Sequence, residues 1–320
     1  MTYNYLFLVL FLSLLSCNET YKTPTNIENI NIEVKAKRFD QDFLNATESD
    51  FEKLKEKYPY LVPKIEGVND LWVAEKKDTL VQEVLQEANT VFPNFIVQEE
   101  ELTQLFKHIK YNFPEFTTPE TVTLISMMDY RNRVLLQNNI LLIAVDCYLG
   151  ENHKFYEGFS SYISAQFTQE YLVADVANVY AKNHVQKGKQ RLFIEQMVYF
   201  GKLLYLKDKL IPFKTEANRI GYTQNQLDWA NANEDMIWSY FVDKNLLFST
   251  DTKLSNRFIA PAPFSKFYLA VDNESPGRLG QYIGWQIVRA FMQKNDVSLR
   301  KLCTMSNEEI FRKSKYKPKK

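Results

Sequence analysis

The sequence predicts an α+β fold: a mostly helical domain around a small meander sheet. Three observations carry this. Apolar residues recur at helical spacing through the first third of the chain. A β-branched, apolar stretch follows near residues 121–147. Beyond Gly158 the helical spacing returns and runs nearly to the end. Helices segregated from one small sheet make an α+β architecture.

Taken in order, Phe51, Leu54 and Tyr58 stand at i, i+3 and i+7 and open the first helix after Asp50. Leu80, Val84, Leu85 and Ala88 mark a second between Thr79 and Phe92. Leu102, Leu105, Phe106 and Ile109 mark a third between Glu99 and Tyr111. The runs 121–126, 133–139 and 140–147 read as three strands, with Asn138-Asn139 as a tight turn between the last two. Helices are expected over 159–167, 169–184, 189–206, 223–243, 276–294 and 306–314. No internal repeat is visible.

The bulk composition is ordinary for a globular chain, with 45% hydrophobic and 24% charged residues among 320. The 23 Phe and 19 Tyr predict an aromatic core. Basic and acidic residues balance at 39 each, which argues against a nucleic-acid partner, since that needs a basic surface to displace counterions. With nine glycines, a Gly-rich phosphate loop is disfavoured.

The N-terminus addresses the chain to the cell envelope. Tyr5 to Leu15 is nearly all apolar, too short to span a bilayer and suited to a signal-peptide core. It ends in Leu14-Leu15-Ser16-Cys17, which resembles a bacterial lipobox. Cys17 is therefore the expected site of lipid attachment. Asn18 after it suggests sorting to the outer membrane, with the domain facing the periplasm. Residues 1–17 form the expected signal peptide, 18–32 a polar tether, 33–314 one domain and 315–320 a basic, solvated tail. Cys147 and Cys303 remain; Cys147 reads as a buried thiol, and a disulfide between the two is the chemical alternative.

Standard catalytic signatures are missing. His108, His153 and His184 are scattered, and none stands in His-Glu-x-x-His; surface or capping roles suit them. Gly158-Phe-Ser-Ser-Tyr162 lacks the second glycine of a nucleophile elbow. Glu234 and Asp235 point about 100° apart on a helix, so solvation is the expected role for both. No cofactor and no metal site is expected.

One segment stands out. Gly277, Gly280 and Gly284 fall within eight residues, behind Ser275 and Pro276, which suit a helix N-cap and first turn. Interior helix glycine costs up to about 1 kcal/mol against alanine, so something must require bare backbone. Close packing of a neighbouring helix is the commoner cause. The alternative is a ligand or partner segment in a groove bounded by Arg278, Trp285 and Arg289.

Four stretches carry a family resemblance: Leu141–Gly150 with His153 and Tyr156; Met197–Lys202; Trp238–Val242 running on to Arg257–Phe267; and Ser275–Arg289. With the lipobox they resemble GldB, the gliding motility lipoprotein family of Bacteroidetes. The resemblance implies an envelope lipoprotein needed for gliding, partnered by other components of a machinery linked to type IX secretion. It also implies that Trp238, Arg257, Gly277, Arg278, Gly280, Gly284, Trp285 and Arg289 form a partner or structural motif. The family is in turn distantly similar to predicted zinc-dependent proteases of zincin fold. There the metal-binding helix would fall near Tyr171 to His184, which here carries no ligand pair. Relatives often place an acid before the glycine of Gly201-Lys202; Phe200 stands there instead. The expected role is a non-catalytic assembly or scaffold component, and the alternative is a zincin-type metallopeptidase with a non-standard site.

Overall fold

The computed structural model describes residues 21–62 and 67–319. Cys17 and the apolar leader lie outside the described residues. The first half places helices α1 (Thr25–Glu28), α2 (Phe39–Asn45), α3 (Phe51–Lys57), α4 (Val68–Lys77), α5 (Thr79–Val91) and α6 (Ile96–Asn112) around strands β1 (Ala36–Arg38), β2 (Glu120–Leu124), β3 (Val134–Gln137) and β4 (Ile140–Ala144). The second half is helical: α7 (Ser161–Ser164), α8 (Gln169–His184), α9 (Phe193–Leu210), α10 (Glu216–Ile220), α11 (Gln224–Ala232), α12 (Glu234–Asp243), α13 (Lys253–Phe258), α14 (Leu279–Lys294), α15 (Leu299–Thr304) and α16 (Asn307–Ser314). The fold is α+β.

The sheet differs from a meander. Its order is β1-β2-β4-β3, with β1 and β4 parallel to β2 and only β3–β4 antiparallel. Asn138 and Asn139, both at positive φ, form the tight turn of that hairpin. The connection from β2 returns the chain to β4 in parallel, so three consecutive strands do not make consecutive hairpins. Along β4 the side chains alternate. Leu141 and Ile143 enter the main core, while Ile140 and Leu142 pack against a smaller aromatic cluster of Phe43, Phe51, Tyr58 and Trp72 from α2–α4. The sheet is thus a wall between two cores.

Helix ends follow local chemistry. Asp78 caps α5 by accepting from Leu80 N and Val81 N, and Ser306 caps α16 by accepting from Glu309 N. The expected helix 189–206 starts later, at Phe193. There Glu195 accepts from Leu192 N at 2.9 Å, and the carbonyls of Ser249 and Leu247 take the next two N–H groups. The expected helix 223–243 breaks at Asn233, whose side chain donates to Trp229 O. Of 159–167 only Ser161–Ser164 is helical. α14 starts at Leu279 rather than at Pro276. Ser275 donates to the carbonyls of Ser265 and Asp272, and Pro276 O accepts from Ser265 N, so both belong to a packed loop.

Both ends of the described residues make more contacts than a tether and a solvated tail would. Tyr21 OH lies 3.0 Å from His108 Nε2, Thr23 bonds Gln104, and Ile27 is buried. At the other end Tyr316 OH donates to Glu234 Oε1 at 2.8 Å, Lys319 N donates to the same oxygen, and Tyr282 OH donates to Glu234 Oε2. Glu234 is therefore a buried acceptor, against its expected solvation; Asp235 beside it is exposed. Cys147 and Cys303 are free and buried, and burial raises both thiols, to about 12 and about 11.

Candidate functional site

The glycine segment resolves into a helix crossing. A Cβ on Gly284 would sit under 3.0 Å from the Met197 carbonyl of α9, and one on Gly201 would meet the Gly284 carbonyl equally closely. Gly280 faces Ile259 Cδ1 and Phe258 O, each 2.8 Å from a would-be Cβ, and Gly277 faces Ala262 O. The bare backbone is needed for contact between α9 and α14, so no groove lies along this face. Trp285 is fully buried beside the crossing. Its indole donates to Asp208 Oδ2 at 2.9 Å, and Arg289 stacks on its ring at 3.7 Å. Asp208 also takes Arg289 Nε at 2.8 Å and Arg219 at 3.1 Å, and Glu216 takes the rest of the Arg289 fork. Trp285 and Arg289 are thus joined through Asp208, whereas Arg278 bonds the Ile220 and Gly221 carbonyls. Trp238 and Arg257 also make contacts within the chain. Trp238 stacks edge-on with Tyr316, while Arg257 donates to Lys266 O and Tyr240 OH and lies over the Phe258 and Tyr268 rings.

Of the histidines, His153 accepts from Phe155 N as a cap, His184 stacks on Phe113 at 3.9 Å, and His108 is buried rather than superficial.

A different site lies on the outer face of α8. Tyr171, Asp175, Asn178 and Lys182 follow one another at three- and four-residue steps and line a cavity of about 590 Å³. Arg133 ahead of β3, Tyr199, Phe200 and Lys207 of α9, Lys187 between α8 and α9, and Arg278 ahead of α14 complete its charged and aromatic wall. A second lobe of about 280 Å³ shares Arg133, Asp175, Lys182 and Arg278 and adds Arg131.

The larger cavity holds five cationic side chains and a single carboxylate. Asp175 is already engaged: Arg133 reaches it at 2.7 Å and Tyr148 OH at 3.0 Å. Burial works against the Arg133 charge, and the charge and hydrogen bond of Asp175 together with Tyr148 and Cys147 leave it raised all the same. Arg278 stands at φ 61°, an uncommon conformation for a residue with a side chain. This turns its guanidinium onto the C-terminal carbonyls of α10, with bonds to Ile220 O at 2.8 Å and Gly221 O at 2.6 Å. Lys207 is buried, and of its three N–H donors one is used, to Arg219 O at 2.9 Å.

Burial pushes Lys207 down to about 8, aided by Arg278, Lys182 and Arg133 and opposed by Asp175. Lys202 is wholly buried nearby on α9, donating to Met305 O and Gln186 O, and burial alone pushes it to about 8 against the pull of Cys303. A lysine lowered in the folded state is a cost below its folded value. That cost is relieved between the folded value and the unfolded one near 10.5, where only the unfolded chain still holds the proton. Folding stability should therefore rise from pH 7.5 to pH 9, by about 1 kcal/mol per lysine. Urea unfolding at those two pH values checks this. In Lys202→Met the gain should fall by half; an unchanged gain would show that Lys202 does not titrate there.

The distant zincin resemblance implies a zinc on α8, and the donor set does not fit one. The outward face offers Tyr171, Asp175, Asn178 and Lys182, the one carboxylate is tied to Arg133, and Phe200 adds an apolar ring to the wall. The surrounding cations would repel a divalent metal. Among the described residues no three His, Cys, Asp or Glu side chains converge as a metal cluster requires, and no helix is long and apolar enough to cross a membrane.

Sequence reasoning found the glycine crossing but not this cavity, because its walls come from many separated segments between Arg133 and Gln281. The helical stripe Tyr171, Asp175, Asn178, Lys182 was the available signal: a polar face on a helix otherwise buried through Leu172, Val173, Val176, Ala177 and Tyr180.

Residues 20–318 match the family model described as gliding motility protein GldB. No curated protein and no solved structure matches the chain.

Proposed function

Since the chain belongs to the gliding motility protein GldB family, we propose that it serves the gliding apparatus as a lipid-anchored, non-catalytic assembly or scaffold component of the outer membrane, facing the periplasm and working beside type IX secretion. Cys17 carries the anchor, and other envelope proteins of the machinery are its partners. The observation that carries the non-catalytic reading is the donor set of the α8 cavity. Among the described residues its four cations other than Arg133 have no carboxylate partner, its one acid is locked to Arg133, and nothing pairs a nucleophile with a base. A zinc hydrolase needs about three protein ligands at fixed geometry around a polarised water. The α9–α14 crossing supports the same reading, because backbone packed on backbone gives a stiff framework suited to holding partners.

The purified mature protein should contain no stoichiometric zinc by elemental analysis and should cleave no casein or peptide library in a chelator-sensitive way. One tightly held zinc per chain, with proteolysis abolished by chelation and restored by zinc, would overturn the scaffold reading.

A further inference from the structure

The geometry points to a ligand site in the α8 cavity: it binds a small polyanion whose phosphoryl or carboxyl groups are carried on a hydroxylated, sugar-like body. This inference is independent of the chain's step in motility and of its anchor.

Charge is the first support. The whole chain is electrically balanced, 39 basic against 39 acidic residues. Yet this one cavity gathers Arg133, Lys182, Lys187, Lys207 and Arg278 against Asp175 alone. The Arg133–Asp175 pair cancels itself at 2.7 Å. Lys207 and Arg278 find only uncharged backbone carbonyls. The ammonium groups of Lys182 and Lys187 make no hydrogen bond or ion pair among the described residues. Four positive charges thus share one concavity without a counter-ion among the described residues. Like charges held together in a recess are unfavourable unless something of opposite sign enters, and low-dielectric walls strengthen the field an entering anion meets.

Lys207 is the second support, on different grounds. It is a buried ammonium with two unspent N–H donors, on a wall shared with Arg278 and facing Lys182 and Arg133. A core position normally carries an apolar side chain, and a buried lysine without a carboxylate costs free energy. An incoming oxyanion supplies the missing acceptor.

The neutral lining describes the body of the ligand. Gln166, Gln190, Gln196 and Gln281 each spend their NH₂ group on a backbone carbonyl, of Gly221, Lys187, Gln190 and Ile259. Each keeps a side-chain carbonyl oxygen with no protein partner among the described residues. Such acceptors suit hydroxyl donors. Half-buried Tyr171, Tyr199 and Phe200 offer ring faces of the kind that pack on the apolar side of a sugar. The volume, about 590 Å³, is in the range of small-ligand clefts.

The test uses the purified full chain in detergent and isothermal titration calorimetry with three probes: glucose 1,6-bisphosphate, trigalacturonate and maltotriose. The expected result at low ionic strength is one-to-one binding of a charged probe, weakened by added salt, with no binding of neutral maltotriose. Phosphoryl recognition shows as preference for the bisphosphate, and carboxyl recognition as preference for trigalacturonate. Lys182→Ala with Lys187→Ala, both exposed and free of protein partners, should keep the wild-type melting temperature and weaken binding by about tenfold or more. Absence of binding by both charged probes, equal binding of maltotriose, or full affinity in the double variant would each overturn the site. Should the double variant not fold, the salt dependence of the wild-type titration decides: affinity indifferent to salt overturns it.

Discussion

Gly284→Ala should cost the fold more than about 3 kcal/mol, although alanine is the better helix former by up to about 1 kcal/mol. The added methyl would land under 3.0 Å from the Met197 carbonyl, which is main chain and cannot rotate away. The two helices must separate, and separation opens the core around Leu203, Ile283 and Ile287. Gly201→Ala should behave alike, since it meets the Gly284 carbonyl from the other side. Gly280→Ala should be milder, because one obstacle is the mobile Cδ1 of Ile259, though Phe258 O stands at 2.8 Å too. Thermal melting of the three variants gives the order, and cells carrying Gly284→Ala should lose both protein and motility. A Gly284→Ala chain that melts like the wild type would mean that α9 and α14 do not cross here.

Asp208→Ala should be the costliest single change of a charged residue, at about 3–5 kcal/mol. Asp208 is one-ninth exposed on its side chain, at 11%, and takes the Trp285 indole, the Arg289 fork and Arg219. Truncation leaves Arg219 with only backbone acceptors and the indole with none. Glu216 keeps half of the Arg289 fork but is more exposed, at 43%. The melting temperature should fall by roughly 10 °C or more. Asp208→Asn retains acceptor capacity and should fall between the two. If Asp208→Ala loses no more than a surface charge does, the network is ornamental to stability.

Sequence periodicity reveals what depends on one segment. α8 and α16 are legible at 169–184 and near 306–314 because apolar stripes and a capping serine mark them. Gly280 and Gly284 are legible because glycine in a helix asks for a neighbour. What pairs distant segments is not legible. β1 is three residues long, too short to show alternation, and its parallel pairing with β2 is set by packing between two cores. The start of α14 is misread because Ser275-Pro276 has good capping chemistry that the loop around Ser265 uses for itself. Asp208 and Glu234 look like two among many acids; their roles arise from Trp285, Arg289, Tyr282 and Tyr316, which stand 48 to 82 positions away in the chain. The cavity shares this fate, being an average over segments that no local window contains.

The docking of Tyr21 on His108 would set the length of the leash in the proposed lipid anchoring. With an acyl chain on Cys17, four residues bring the chain to Tyr21, a reach of at most about 14 Å. Tyr21 and α1 are fastened to α6 through His108, Gln104 and the Lys107–Glu28 bond. Under the proposed anchoring, the body of the protein would stay close to the lipid headgroups on its α1–α6 side. A partner would have to come to the membrane to meet it.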